Sequence, residues 1–171
     1  LDVFCYVGAW GLTAAKAGAS AVTCVDSSAS ALELVASAAR ENQLTIATEK
    51  GDAFDVLEKM IAHGRKFDVV IVDPPAFIKR KKDIPKGEAA YRRLNQLAMQ
   101  VLTADGLLVS CSCSYHVSSE ALLGAIQKAA RHLNRFVQVI ESGGQAPDHP
   151  IHPAIVESSY LKTFICRVVH A

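Results

Sequence analysis

The chain has 171 residues, half of them hydrophobic, which is the size and apolar content of one globular domain with a substantial core. Its formal net charge of +1 says little about nucleic-acid affinity, so any basic surface has to be local. No uninterrupted apolar stretch approaches the roughly 20 residues of a membrane helix, no signal peptide is recognisable, and the five cysteines show neither metal-ligand spacing nor a disulfide framework, which points to reduced thiols in a soluble cytosolic protein.

Short apolar, β-branched runs alternate with longer helical patterns, the signature of a parallel α/β sheet. The first strand is read over Leu1–Val7 and the second over Ala21–Asp26, with a short helix from Trp10 to Ala17 between them. Ser28 to Asn42 is an amphipathic helix, with Ser27 or Ser28 as N-cap and Ala31, Leu34, Val35 and Ala38 on one face. A third strand ends near Asp52, and Phe54, Leu57, Met60 and Ile61 mark the helix after it. Phe67–Asp73 is almost continuously apolar, as a strand buried on both faces should be, and stops at Pro74 and Pro75.

The stretch Ala76–Gly87 carries Lys79, Arg80, Lys81, Lys82 and Lys86 and reads as a mobile basic loop. It is followed by a helix from about Glu88 to Leu102, a fifth strand over Leu107–Cys113, a helix from Ser118 to His132, a strand over Phe136–Glu141, a loop over Gly143–Pro153 and a last strand over Tyr160–Val169. The sixth and seventh strands are joined without a helix, which predicts an antiparallel pair. The fold class that follows is α/β: a Rossmann-like, doubly wound, seven-stranded sheet, mostly parallel with an antiparallel last strand.

In such a sheet ligands bind outside the carboxyl ends of the strands. Those ends carry Tyr6-Val7-Gly8, Asp26, Asp52, Asp73-Pro74-Pro75 and Cys111-Ser112-Cys113. Gly8 and Gly11 let the backbone turn tightly and approach a ligand. The loop lacks the full G-x-G-x-x-G fingerprint, which disfavours a nicotinamide cofactor. Asp26 is placed to accept hydrogen bonds from two ribose hydroxyls or to serve the helix after it; Asp52 is placed to accept from an adenine amino group or to cap its own helix. Asp73-Pro74-Pro75 is more specific, because two prolines fix an extended backbone beside an acidic group at the end of an apolar strand.

This order of glycine loop, acidic tips and Asp-Pro-Pro resembles the class I S-adenosylmethionine (SAM)-dependent methyltransferases. More closely, DPPAF (Asp73–Phe77), SCSCS (Ser110–Ser114), PDHP (Pro147–Pro150) and YLKTFICRV (Tyr160–Val168) resemble the 5-methylcytosine methyltransferases of large-subunit ribosomal RNA. The resemblance implies one catalytic domain over residues 1–171. It also implies SAM held by Phe4, Tyr6, Gly8, Gly11, Asp26, Ser27, Asp52, Ala53 and Asp73, and large-subunit ribosomal RNA as substrate, in the cytoplasm. Members of that family usually carry an N-terminal PUA RNA-binding domain. Together with Leu1 standing inside a strand pattern, this leads us to expect a fragment of a longer protein.

Position 5 of a pyrimidine is a poor nucleophile, so the family adds a cysteine thiolate to C6 first. By resemblance the nucleophile is Cys113, although Cys111 lies two residues earlier on the same strand and shares its face if the strand stays regular. Asp73 would hold the base near N3 and its amino group. Pro74, Pro75, Phe77, Lys79 and Arg92 are substrate-binding candidates, with Lys79–Lys82 or Arg92 supplying the positive surroundings a thiolate needs. Phe77 and Tyr91 are candidates to stack on an extruded base, though Phe77 suits core packing better. His149 reads as structural. Ala76 stands where the larger RNA 5-methylcytosine group has a second cysteine, which leaves the proton-abstracting base unassigned. The oligomeric state, monomer or homodimer, is open. Two alternatives compete: an amino-group methyltransferase using Asp-Pro-Pro, and a non-catalytic RNA-binding or assembly module on the same fold.

Overall fold

The computed structural model describes residues 1–170. Its strands are β1 (Asp2–Val3), β2 (Thr23–Asp26), β3 (Ala47–Lys50), β4 (Phe67–Val72), β5 (Leu102–Ser112), β6 (Arg135–Gly143) and β7 (Lys162–His170). Its helices are α1 (Ala9–Lys16), α2 (Ala29–Glu41), α3 (Ala53–Ala62), α4 (Ile84–Gln100) and α5 (Ser119–His132). One mixed sheet in the order β3-β2-β1-β4-β5-β7-β6 contains every strand. Strands β3, β2, β1, β4 and β5 pair in parallel, while β7 runs against both β5 and β6. The expected architecture is the observed one.

Alternation along the strands explains the layering. Val3, Val25, Val70, Val72, Leu108 and Phe164 face one way and build the main core with Leu57, Met60, Leu94, Leu97, Leu122 and Ile126 of α3, α4 and α5. Cys24 and Val22 face the other way, against Leu32 and Val35 of α2. Three helices start at side-chain caps that satisfy their first N–H groups: Ser28 accepts from Ala31, Asp52 from Phe54 and Ser118 from Ala121.

Three expectations are corrected. β1 ends at Val3, because Phe4 and Tyr6 take left-handed backbone angles (φ 63° and 49°) and turn the chain out of the sheet. β5 begins at Leu102, pairing with Phe67; the ladder then skips to Val69 opposite Leu107, and the intervening turn residues, with Asp105 at φ 59°, are an irregularity inside the strand rather than its start. The basic stretch is more ordered than a loop: Lys81–Asp83 form a 3-10 turn that runs into α4, which starts at Ile84 with Pro85 in its first turn.

Candidate active site

Parallel pairing in register brings the carboxyl ends of β1, β2, β3, β4 and β5 to one rim of the sheet, and the reversed β7 brings its first residue, Lys162, to the same rim opposite Ser112. The chain leaves β1 through alternate left-handed residues, Phe4, Tyr6 and Gly8 (φ 81°). Gly8 stands at the N-cap of α1 without a side-chain cap, and of the first-turn N–H groups those of Ala9 and Trp10 are left to a ligand while that of Gly11 is held by Asp2. The carboxylate of Asp26 accepts from the Tyr6 N–H and the Ser28 N–H, both at 2.9 Å, which ties the loop to the tip of β2 and leaves lone pairs for further donors. Ser27 is exposed beside it. Asp52 is the N-cap of α3, accepting from Phe54 at 2.9 Å, with buried Ala53 behind it.

Sequence reasoning missed Asp2, which anchors this loop from beneath. The residue is 1% exposed; its Oδ2 accepts the Gly11 N–H at 2.9 Å, and its Oδ1 has no partner among the described residues. An acidic residue inside an apolar strand just before a glycine loop is the signal that could have found it. Burial pushes its carboxyl up to about 6, although the Gly11 N–H opposes the shift. Because the folded value lies above the unfolded 3.8, the carboxyl favours the fold while protonated, and that contribution is lost as pH rises through about 6. Urea unfolding from pH 4 to pH 7 should therefore show stability falling by up to about 3 kcal/mol relative to the Asp2→Asn variant, in which this component of the pH dependence disappears.

The catalytic candidates meet at the next two tips. Asp73 is half-buried, its Oδ2 receives the Trp10 indole N–H at 3.4 Å, and burial raises its carboxyl above the ordinary range. Cys113 lies just beyond the end of β5, half-buried, with its thiol 3.7 Å from the Pro74 carbonyl. Asp73-Pro74 and Cys113 are thereby brought together. Cys111 lies deeper than Cys113: it is 2% exposed, packed with Ile71 and Val109, holds a hydrogen bond from the Thr163 hydroxyl at 3.4 Å, and burial, with Asp73 adding to it, pushes its thiol up to about 12.

A buried hydroxyl network fixes the cysteine-bearing turn. The Ser112 hydroxyl donates to the Tyr91 oxygen at 2.8 Å, Tyr91 and Ser114 share a bond of 2.9 Å, and the Ser114 hydroxyl accepts the Ile78 N–H at 3.3 Å. Tyr91 is 1% exposed, so its expected role as a base-stacking group is corrected to that of a clamp. Phe77 is likewise engaged with other rings, 4.9 Å from Tyr91, 6.2 Å from Phe54 and 6.3 Å from Phe4, as core packing demands. Buried Pro74 and exposed Pro75 line the rim.

The cations expected around the thiol are exposed. Lys79 is exposed, Arg80 pairs with Asp83 at 2.9 Å, and Arg92 lines a depression between α4 and α5 with Pro85, Glu88 and Lys128, because the helical step from inward-facing Tyr91 rotates it away from the sheet. The cation that faces Cys113 is Lys162, which pulls its thiol down while burial and Asp73 push it up more strongly. It stands in the YLKTFICRV segment, but nothing in that segment points to the thiol; only the reversal of β7 puts it there. Above the rim, residues 144–161 hang from Gln145, whose amide accepts from Tyr160 at 2.9 Å and donates to the carbonyls of Ser158 at 2.7 Å and His149 at 3.1 Å. His149 is itself exposed beside Asp148. Among the described residues no helix is long and apolar enough to cross a membrane, and no cluster of three His, Cys, Asp or Glu side chains is placed to hold a metal ion.

The chain is similar to proteins named ribosomal RNA large subunit methyltransferase I. It is 39% identical to that of Photobacterium profundum, over 98% of this chain and 43% of the relative, and 37% identical to that of Shewanella frigidimarina over the same shares. It therefore spans less than half the length of these curated relatives. Among solved structures, a SAM-dependent methyltransferase from Streptococcus mutans superposes with a TM-score of 0.84 at 22% identity, over 97% of this chain and 43% of that one. A methyltransferase complexed with SAH superposes with the same score at 23% identity, over 97% and 44%. At such identities the likeness establishes the fold, a Rossmann-like methyltransferase fold. Residues 1–132 match the family described as Conserved hypothetical protein 95, and the chain belongs to that family.

Proposed function

We propose that this chain is the catalytic domain of a SAM-dependent methyltransferase that modifies C5 of a cytosine in large-subunit ribosomal RNA, in the cytoplasm, through a covalent adduct with Cys113. The observation that carries this reading is the meeting of a half-buried thiol with Asp73-Pro74 on the rim that also holds the glycine loop. The names of the relatives support the substrate class.

The donor set suits the cofactor. Asp26 retains acceptor capacity for a ribose diol, the uncapped start of α1 offers N–H groups to a carboxylate, and the Asp52-Ala53 corner of α3 offers an acceptor to an adenine amino group. SAM, when bound, supplies an electrophilic methyl group. Asp73, with a carboxyl that burial holds above its ordinary range, presents a hydrogen-bonding edge to the pyrimidine. The Cys113 thiolate forms an S–C6 bond, which moves the ring's electron pair to C5 and makes that carbon nucleophilic toward the methyl group. After transfer, a base removes the C5 proton and the S–C6 bond breaks, returning the thiolate.

The test is to map 5-methylcytosine in large-subunit ribosomal RNA from cells with and without the gene. One cytosine should lose its methyl group on deletion and regain it on complementation. An unchanged map, or a methyl group lost instead from an exocyclic nitrogen, overturns the proposal; the latter is the amino-group alternative.

A further inference from the structure

A free thiol titrates near pH 8.5 and needs a positive neighbour to be a nucleophile at neutral pH. For Cys113 the need is greater, because burial and the adjacent Asp73 both favour the protonated form. The titratable groups that face it are Asp73 beyond β4, Tyr91 on α4, Cys111 on its own strand and Lys162 on β7. Lys162 is the cation of this set.

Its placement is restrained on both sides of the cysteine. In the β5–β7 ladder Lys162 lies opposite Ser112, the residue before Cys113, and its ammonium donates to the carbonyl of Ser114, the residue after Cys113, at 2.7 Å. The residue is 9% exposed, so water screens it poorly compared with the exposed lysines of the 79–82 stretch. A buried ammonium with one carbonyl partner is under-compensated, and a thiolate supplies the missing counter-charge. Consistent with that pairing, burial pulls the Lys162 ammonium down while Cys113 pulls it up.

We propose that Lys162 is a positioning residue that favours the Cys113 thiolate against burial and Asp73, its ammonium, tethered to Ser114, stabilising the thiolate from across the β5–β7 ladder. The inference rests on the reading of Cys113 as the nucleophile. In the step concerned the S–H bond breaks, the proton passes to water and the electron pair stays on sulfur; nothing is oxidised or reduced.

The experiment follows alkylation of Cys113 by iodoacetamide from pH 6 to pH 10, resolved by peptide mass spectrometry. In Lys162→Met the rate at pH 7.5 should fall roughly tenfold and the whole profile should shift to higher pH, and Lys162→Arg should recover most of the loss. A Lys162→Met profile that superimposes on wild type overturns the proposal. Should that variant fail to fold, the reciprocal measurement decides: in Cys113→Ala, NMR titration of the Lys162 ammonium should move to lower pH, and an unmoved titration overturns the proposal equally. Neither readout uses RNA or a methyl donor. Failure here therefore leaves the methyltransferase reading standing, and failure of that reading is detected separately in the methylation map.

Discussion

Replacing Cys113 by alanine should lower RNA methylation by at least about 10³-fold, the scale seen when a catalytic nucleophile is removed, while SAM affinity measured by calorimetry stays at its wild-type value. The separation is expected because Cys113 touches the Pro74 carbonyl at the β4–β5 tips, whereas the proposed cofactor contacts lie at Tyr6, Gly8, Asp26 and Asp52 on the other side of β1. Cys111→Ala should retain activity, since that thiol is buried against Ile71 and Val109 and strongly favours its protonated form. RNA carrying 5-fluorocytosine sharpens the test. Fluorine cannot leave C5 as a proton does, so the adduct persists as a denaturant-resistant complex in wild type and is absent in Cys113→Ala. A complex that forms through Cys111, or full activity in Cys113→Ala, would sink the assignment.

The second large effect belongs to Gly11. A methyl group there would lie 2.4 Å from the Cys24 sulfur and 3.3 Å from Asp2 Oδ2. Cys24 is fully buried between β2 and the helices, so it has nowhere to retreat. Gly11→Ala should cost about 1–3 kcal/mol by overpacking, read as a lower urea midpoint, and should weaken SAM binding because Asp2 and α1 are pushed apart under the glycine loop. The pair is testable as a double-mutant cycle. Cys24→Ala removes the obstructing sulfur, so Gly11→Ala in that background should recover more than half of the loss. Simple additivity of the two substitutions would show that the clash is not the cause.

The parts of the molecule legible in the sequence are those governed by local pattern. Apolar runs that stop at Asp26 and at Asp73 marked both the strands and the rim, because a carboxylate is tolerated where a strand leaves the core. Local pattern failed where backbone geometry or long-range pairing took over. Phe4 and Tyr6 read as strand residues by composition, yet their left-handed angles make them the loop. Residues 103–106 precede the strand read from Leu107, although pairing of Leu102 with Phe67 carries them inside β5. Tyr91 looked available for stacking because its helix phase toward Ser112 and Ser114 depends on how α4 docks on the sheet. Lys162 stood within YLKTFICRV without a role to mark it, since its proximity to Cys113 exists only once β7 lies antiparallel beside β5.

That reversed strand has a consequence for divergence. In an all-parallel sheet the connection into the strand beside β5 would arrive at the far end, remote from the chemistry. Here residues 144–161, with Ile151, Ile155 and Val156 exposed, enter β7 on the rim where Asp73 and Cys113 stand. This segment is suspended from Gln145 rather than woven into the core, so substitutions at its exposed apolar positions cost the fold little. Selectivity for new substrates is therefore evolvable in a part of the chain that the cofactor loop and the nucleophile do not depend on.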